Sequence, residues 1–131
     1  MFSIRSTSSD RELEFLDLRG EEFTVELRGH GIQLTRDIST YTDSTGLVAF
    51  FNNLASIERP WDGSPKWASL EGEFIISASC SKLGEVLFSL EISGHIGAPE
   101  QWHTSFSLTS ELGQLPKIAN GARSFFQSPC A

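Results

Sequence analysis

The chain has 131 residues, a formal net charge of −7 at pH 7 and a hydrophobic content of 39%. No basic patch is visible, and nucleic-acid-binding surfaces need one, so nucleic acid is not an expected partner. No stretch approaches the ~18 consecutive apolar residues of a membrane span, and no signal peptide is visible at the N-terminus. We therefore expect one cytoplasmic domain over residues 1–131, with residues 1–10 and 127–131 as loose ends.

The cysteines and histidines predict neither a metal site nor a cofactor. His30, His95 and His103 lack metal-ligand spacing, and Cys80 and Cys130 form no C-x-x-C motif. A disulfide would require the C-terminal tail to lie beside the strand that carries Cys80. A buried free thiol and a tail cysteine are the simpler interpretation, and they agree with a reducing compartment.

Alternation of apolar and polar residues predicts strands in the first half of the chain. Phe23, Val25 and Leu27 share one face, and similar alternation lies beyond the glycine-containing turns on either side. This pattern predicts a three-stranded antiparallel meander with one buried face. The period then becomes helical, and the sequence predicts a helix that ends before Pro60. Its apolar stripe consists of Leu47, Phe50, Phe51, Leu54 and Ile57.

The second half of the chain follows the same order. Alternation predicts three more strands, whose inward residues include Phe88 and Phe106, with Trp102 in the same phase as Phe106. A final helix contains Pro116, which is tolerated only in the first turn because proline lacks an N–H. Gly121, in the middle of that helix, indicates a close approach to the sheet.

The order three strands, helix, three strands, helix predicts an α+β fold. Each half alone would leave one apolar sheet face and one apolar helix stripe in water. We predict that both helices lie on one face of a single antiparallel sheet of about six strands.

Several short motifs in residues 61–126 resemble a known family. They are Trp61-x-Gly63, Trp67-x-Ser69-Leu70-Glu71-Gly72-Glu73, Leu83-Gly84-x-Val86, Trp102, Gly113-Gln114-Leu115 and Ile118-Ala119. Together they resemble an uncharacterised family of small bacterial proteins of unknown function, frequent in actinobacteria and sometimes found beside contact-dependent toxin systems. The resemblance implies an α+β domain and supplies no catalytic residues.

The central loop offers two candidate sites. Trp61, Asp62 and Trp67 lie in or beside it, where partly exposed indoles can anchor a partner protein. Glu71 and Glu73 follow, and two carboxylates two residues apart on a strand lie about 7 Å apart on one face. A small hydrolase or ligand-binding enzyme that uses these two carboxylates near Trp67 is therefore an alternative. Solvated charges at the start of a strand are the simpler explanation.

The N-terminal meander carries an unusual amount of negative charge. Its outward face would hold Glu12, Glu14, Glu22 and Glu26, with Arg28 as the main compensating charge. Like charges that face each other across strands destabilise a sheet. The charges either form a solvated, aggregation-resistant face or bind something.

We expect the second of these, namely a small protein-binding module that acts through the acidic sheet face. Its specific form would be a bacterial immunity-type protein, which neutralises a toxin by associating rapidly with a basic toxin domain. A self-associating structural subunit, whose sheet edge pairs with a second copy, is a further alternative.

Overall fold

The computed structural model describes residues 1–41, 43–95 and 97–127. Its elements follow the order four strands, helix, four strands, helix, and a short 3₁₀ helix (Leu112–Gln114) precedes the last one. The strands are β1 (Phe2–Arg5), β2 (Glu12–Arg19), β3 (Glu22–Gly29), β4 (Ile32–Ser39), β5 (Lys66–Ala68), β6 (Phe74–Cys80), β7 (Glu85–Ser93) and β8 (His103–Glu111). The helices are α1 (Gly46–Ala55) and α2 (Leu115–Phe126).

The prediction of a single six-stranded sheet with both helices on one face is wrong. The strands form two four-stranded antiparallel sheets, in the orders β1-β2-β3-β4 and β5-β6-β7-β8. Two strands, β1 and β5, have only four and three residues, which is too short for alternation to be recognised. Alternation also identifies the buried face of a strand but not its neighbours, so it does not distinguish one sheet from two. The fold remains a mixture of helices and antiparallel sheet.

The buried faces of the six longer strands follow the predicted alternation. In the first sheet, Phe23, Val25 and Leu27 are at most 1% exposed. In the second sheet, Phe88 is fully buried and Phe106 is 9% exposed. The inward phases predicted for these strands are confirmed.

The helices bury the predicted apolar stripes. Four of the five stripe residues of the first helix are buried, and the fifth, Ile57, lies beyond its C-terminus. Pro116 lies in the first turn of α2, as the missing N–H requires. A β-carbon on Gly121 would lie 2.6 Å from Cδ1 of Phe2 in β1, so the predicted close approach of this helix to a sheet is confirmed.

Aromatic contacts join the two halves in one hydrophobic core. The ring of Phe15 in β2 lies 6.3 Å from that of Phe74 in β6, in an edge-to-face arrangement. The ring of Phe51 in α1 lies 6.4 Å from that of Phe88 in β7. Each helix also approaches strands of the opposite half, since α1 contacts β5 and α2 contacts β1 and β2.

The edges of the two sheets also touch. The N–H of Thr7 donates to the carbonyl oxygen of Thr109 at 3.0 Å, and Nη1 of Arg11 donates to that of Ser107 at 3.1 Å. The segment after β1 therefore covers the outer edge of β8. At the far side, Nε of Arg36 in β4 donates to the carbonyl oxygen of Ser93 at 2.9 Å.

Cys80 is partly buried and forms no disulfide within the described residues. Cys130, and with it the question of a disulfide between the two, lies outside them. None of the helices in the described ranges is long and apolar enough to cross a membrane.

Candidate functional site

The outward face of the first sheet is held together by ion pairs around Arg28. Nη2 of Arg28 lies 2.9 Å from Glu12 and 3.2 Å from Glu14, and Nη1 lies 2.8 Å from Glu26. Arg5 adds a second ion pair to Glu12 at 2.8 Å. The like charges that the sequence places on neighbouring strands are therefore bridged, and Glu14 is only 8% exposed.

The pKa values of Glu12 and Arg28 reflect these contacts. Burial pushes the pKa of Glu12 upward, but the hydrogen bond and charge of Arg5 and the charge of Arg28 outweigh it, so the pKa lies below its ordinary value. The hydrogen bond to Glu26 and the charge of Glu14 raise the pKa of Arg28. Three of the four glutamates predicted to bind a partner thus pair with Arg28 within the sheet.

The candidate residues of the central loop take different positions. Trp61 is partly buried, and its Nε1 donates to the carbonyl oxygen of Ala78 at 3.3 Å, while Asp62 is exposed. Trp67 lies in β5, is 6% exposed, and donates from Nε1 to Oδ2 of Asp43 at 2.9 Å. Trp67 therefore packs the core beside the start of α1 and offers no exposed indole.

A cleft of about 950 Å³ opens between the edge of the first sheet and the loops of the second. One wall comes from β4 and the turn between β2 and β3. The other comes from the turn between β5 and β6 and the loop between β7 and β8. Its charged lining consists of Glu21, Glu22, Asp37, Glu71, Glu73, Glu100 and a single guanidinium, that of Arg36. We call this feature the acidic cleft.

Hydrogen bonds fix both walls of the acidic cleft. The N–H and the hydroxyl of Thr40 both donate to the carbonyl oxygen of Glu21, at 2.6 and 2.9 Å. In the opposite wall, the N–H of Gly72 donates to the carbonyl oxygen of Ser69 at 2.9 Å. Gly72 has a φ of 73°, which favours glycine. The walls therefore do not depend on a ligand for their shape.

Two of the carboxylates are already engaged within the first sheet. Asp37 accepts a hydrogen bond from the hydroxyl of Thr24 at 2.8 Å and lies 3.2 Å from Arg19. The hydrogen bond from Thr24 lowers the pKa of Asp37, with a smaller contribution from Arg19. Glu22 lies 3.8 Å from the same arginine. The remaining carboxylates of the acidic cleft form no ion pair with the described residues.

Glu73 is the unusual member of the acidic cleft. The residue is only 7% exposed, yet its carboxylate accepts no hydrogen bond and forms no ion pair within the described part of the chain. Neither oxygen is sealed from solvent, because the buried unpartnered atoms of the described residues include only Nε of Arg11. Glu73 immediately precedes β6 and is among the residues that line the cleft. Its oxygens reach solvent and have no partner among the described residues, so they are open to hydrogen bonds from a ligand in the cleft.

Exposed apolar side chains flank these charges. Tyr41 is 58% exposed, Leu70 63% and Trp102 39%, and all three line the acidic cleft. The inward position predicted for Trp102 is wrong, because β8 begins only at His103. Its indole instead lies against Gly94, where an added β-carbon would be 2.5 Å from Nε1. Partly exposed aromatic and aliphatic groups beside charges are typical of protein-binding surfaces.

A polar row that the sequence does not reveal crosses the outer face of the second sheet. Oγ of Ser93 lies 2.9 Å from Nδ1 of His103, whose Nε2 lies 3.5 Å from Glu91. This order resembles a nucleophile, base and carboxylate. However, the side chains of His103 and Glu91 are 57% and 47% exposed, and the second contact is too long for a hydrogen bond. We therefore interpret the row as a cross-strand polar contact.

Metal binding has no support among the described residues, which contain no group of three or more His, Cys, Asp or Glu placed to hold an ion. Carboxylates accept charge-assisted hydrogen bonds from organic cations, such as lysine and arginine side chains.

Most of the acidic cleft escapes sequence reasoning because its residues come from four separate segments. Of its carboxylates, the sequence identifies only Glu22, Glu71 and Glu73 as candidate site residues. It pairs the last two with Trp67, which lies in the core rather than among the residues that line the cleft. For Glu22 and Glu73, the position just after a glycine-containing turn, next to an inward phenylalanine, was the available signal.

A search of curated proteins finds no match to the chain. A family model, described as a family of unknown function (DUF6228), matches residues 5–129. The match extends well beyond the motifs in residues 61–126. The chain therefore belongs to the family of unknown function DUF6228.

Proposed function

We propose that this protein is a protein-binding module that takes a basic segment of another protein into the acidic cleft. The observation that carries this proposal is Glu73, a nearly buried carboxylate that opens into the cleft and lacks a partner among the described residues. A guanidinium or ammonium group from a partner would complete this carboxylate with a charge-assisted hydrogen bond.

The distribution of charge favours the acidic cleft over the outward sheet face. On that face, Arg28 and Arg5 already neutralise much of the charge of Glu12, Glu14 and Glu26. In the cleft, Arg19 pairs with Asp37 and Glu22, but Glu21, Glu71, Glu73 and Glu100 form no ion pair with the described residues. Arg36 directs Nε and Nη1 to the carbonyl oxygens of Ser93 and Asp37. A concave surface of one sign focuses its field and speeds the approach of an opposite charge.

Toxin neutralisation is the form of this function that we propose. The support is the charge alone: toxins that act on nucleic acid have basic clefts, and an acidic partner competes for them with fast, salt-sensitive association. A bacterial origin and a cytoplasmic location belong to the same proposal.

The test compares binding of a short arginine-containing peptide to the wild type and to two matched variants. Glu73→Gln removes the charge in the cleft, whereas Glu85→Gln removes an exposed carboxylate outside it. We expect Glu73→Gln to weaken binding by about 10- to 100-fold, which corresponds to one charge-assisted hydrogen bond. Glu85→Gln should have little effect, because an exposed charge is well screened.

Unfolding measurements separate function from structure. Glu73→Gln should leave the free energy of unfolding nearly unchanged, because no described donor loses its acceptor and the carboxylate oxygens already reach solvent. Equal binding by both variants, or a clear loss of stability in Glu73→Gln, would contradict the assignment of Glu73 as a recognition residue.

A small hydrolase retains one supporting observation, since Glu71 and Glu73 both line the acidic cleft. In that case Glu71→Gln would abolish turnover while leaving binding of a non-reacting ligand intact. In the binding module, the same variant should only weaken association, because Glu71 is exposed.

A further inference from the structure

We propose that the basic segment binds by strand addition, forming a fifth strand on the outer edge of β4. This inference rests on the proposed function and specifies how the acidic cleft holds its partner. Strand addition supplies affinity through main-chain hydrogen bonds and specificity through alternate side chains.

The turn before β4 reveals which of its backbone groups face outward. His30 and Gly31 form a two-residue turn with φ values of 55° and 81°, the pattern of a type I′ hairpin. The flanking residues, Gly29 and Ile32, therefore form a hydrogen-bonded pair. From there, non-hydrogen-bonded and hydrogen-bonded pairs alternate along β3 and β4. The hydrogen bond from the N–H of Thr40 to the carbonyl oxygen of Glu21 agrees with this alternation.

It follows that the even-numbered residues of β4 bond to β3 and the odd-numbered residues face the open edge. The outward residues are Gln33, Thr35, Asp37 and Ser39. Of their backbone groups, the carbonyl oxygen of Asp37 accepts a hydrogen bond from Arg36 at 2.7 Å. No backbone hydrogen bond from the described residues reaches the others.

This edge differs from the other edges of the two sheets. The segment around Thr7 covers the outer edge of β8, and β5 has only three residues. In contrast, β4 has eight residues, no proline and no register shift. A long edge strand without a cover is a template for pairing with another chain.

The position of this edge indicates the occupant. Three of the four outward residues, Thr35, Asp37 and Ser39, line the acidic cleft, opposite the turn that carries Glu73. An extended segment on β4 would therefore present alternate side chains to the carboxylates, which favours arginine or lysine at those positions. A second copy of this chain is a poor occupant, because each chain carries a net charge of −7 and would bring its own carboxylates into the cleft.

The test uses a synthetic peptide of alternating arginine and valine and a matched pair of variants. The N–H of Thr35 faces the open edge and forms no hydrogen bond to β3. Thr35→Pro removes this N–H, and an edge strand tolerates proline at such a position. Thr35→Val changes the same side chain but keeps the N–H. We expect Thr35→Pro to weaken binding about tenfold through the lost main-chain bond and the altered edge, and Thr35→Val to bind like the wild type.

A second measurement keeps the test valid if Thr35→Pro does not fold. Peptides methylated on alternate backbone nitrogens are bound to the wild-type protein. Methylation at one phase should abolish the hydrogen bonds to β4, and methylation at the other phase should be tolerated. Equal effects of the two phases would overturn strand addition.

The outcomes separate the two proposals. If Glu73→Gln weakens peptide binding but Thr35→Pro and both methylation phases do not, strand addition is wrong and the proposed function stands. If the peptide does not bind the wild type, both proposals fail. A wild-type dimer in sedimentation that Thr35→Pro dissociates would show that a second copy occupies the edge, and it would also overturn this inference.

Discussion

Gly121 offers a test of the packing between α2 and β1. Replacing glycine by alanine inside a helix normally stabilises a protein by up to about 1 kcal/mol. Here the added β-carbon would lie 2.6 Å from Cδ1 and 3.0 Å from Cε1 of Phe2, whereas carbon atoms in contact prefer about 3.5–4.0 Å. The ring of Phe2, or the helix, would have to move by about 1 Å.

The surroundings of Phe2 resist this movement. Its ring is 4% exposed, stacks on Phe15 at 4.9 Å and meets Phe51 edge-on at 5.6 Å. Overpacking of a well-filled core costs about 1–3 kcal/mol. After the gain in helix propensity is subtracted, we expect Gly121→Ala to lower the free energy of unfolding by roughly 1 kcal/mol.

Urea denaturation of two matched variants measures this effect. Gly113→Ala makes the same chemical change where no heavy atom lies within 4 Å, and it should be neutral or slightly stabilising. In a Phe2→Val background, which lacks the ring, Gly121→Ala should become stabilising. A Gly121→Ala protein as stable as the wild type would refute the close packing of α2 on β1.

Three other predictions test the core and the electrostatics. Phe88→Ala should lower the free energy of unfolding by about 3–5 kcal/mol in urea denaturation, because Phe88 is fully buried; a loss below about 1 kcal/mol would contradict this. Glu14→Lys should destabilise the fold by about 3 kcal/mol, because the buried carboxylate pairs with Arg28, and a circular dichroism melt like that of the wild type would refute it. The pKa values of Glu12 and Asp37 are lowered below their ordinary 4.5 and 3.8. The stabilisation of the fold by these two ionised carboxylates is therefore complete above those ordinary values. It should be lost as the pH falls through the lower folded-state pKa values, and a free energy of unfolding that does not change with pH below 4.5 would contradict this.

Local patterns predicted most of the secondary structure and its buried faces. The alternation at Phe23, Val25 and Leu27 and the helical spacing that begins at Leu47 report on burial, which the physics of solvation imposes residue by residue. Trp102 shows the limit of this reasoning. Its phase relative to Phe106 implied burial, but phase has meaning only within a strand, and the strand begins one residue later.

The division into two sheets and the presence of the acidic cleft could not be predicted from the sequence, for a related reason. Both depend on contacts between residues distant in the chain, such as the hydrogen bond from Arg36 to Ser93. The charge of the N-terminal meander was visible in the sequence, but its neutralisation was only partly visible. The sequence identified Arg28 as a compensating charge, whereas the contact of Arg5 with Glu12 depends on the pairing of β1 with β2. Glu73 was recognisable as a candidate only through its glycine-containing turn, not through its lack of a partner.

The approach of each helix to strands of the opposite half has a consequence for folding. With α1 against β5 and α2 against β1 and β2, each half loses part of the cover of its apolar sheet face when the chain is cut between them. Two fragments, residues 1–58 and 59–131, should each remain largely unstructured alone and regain cooperative unfolding when mixed. Such a split pair would report directly on reassembly in cells.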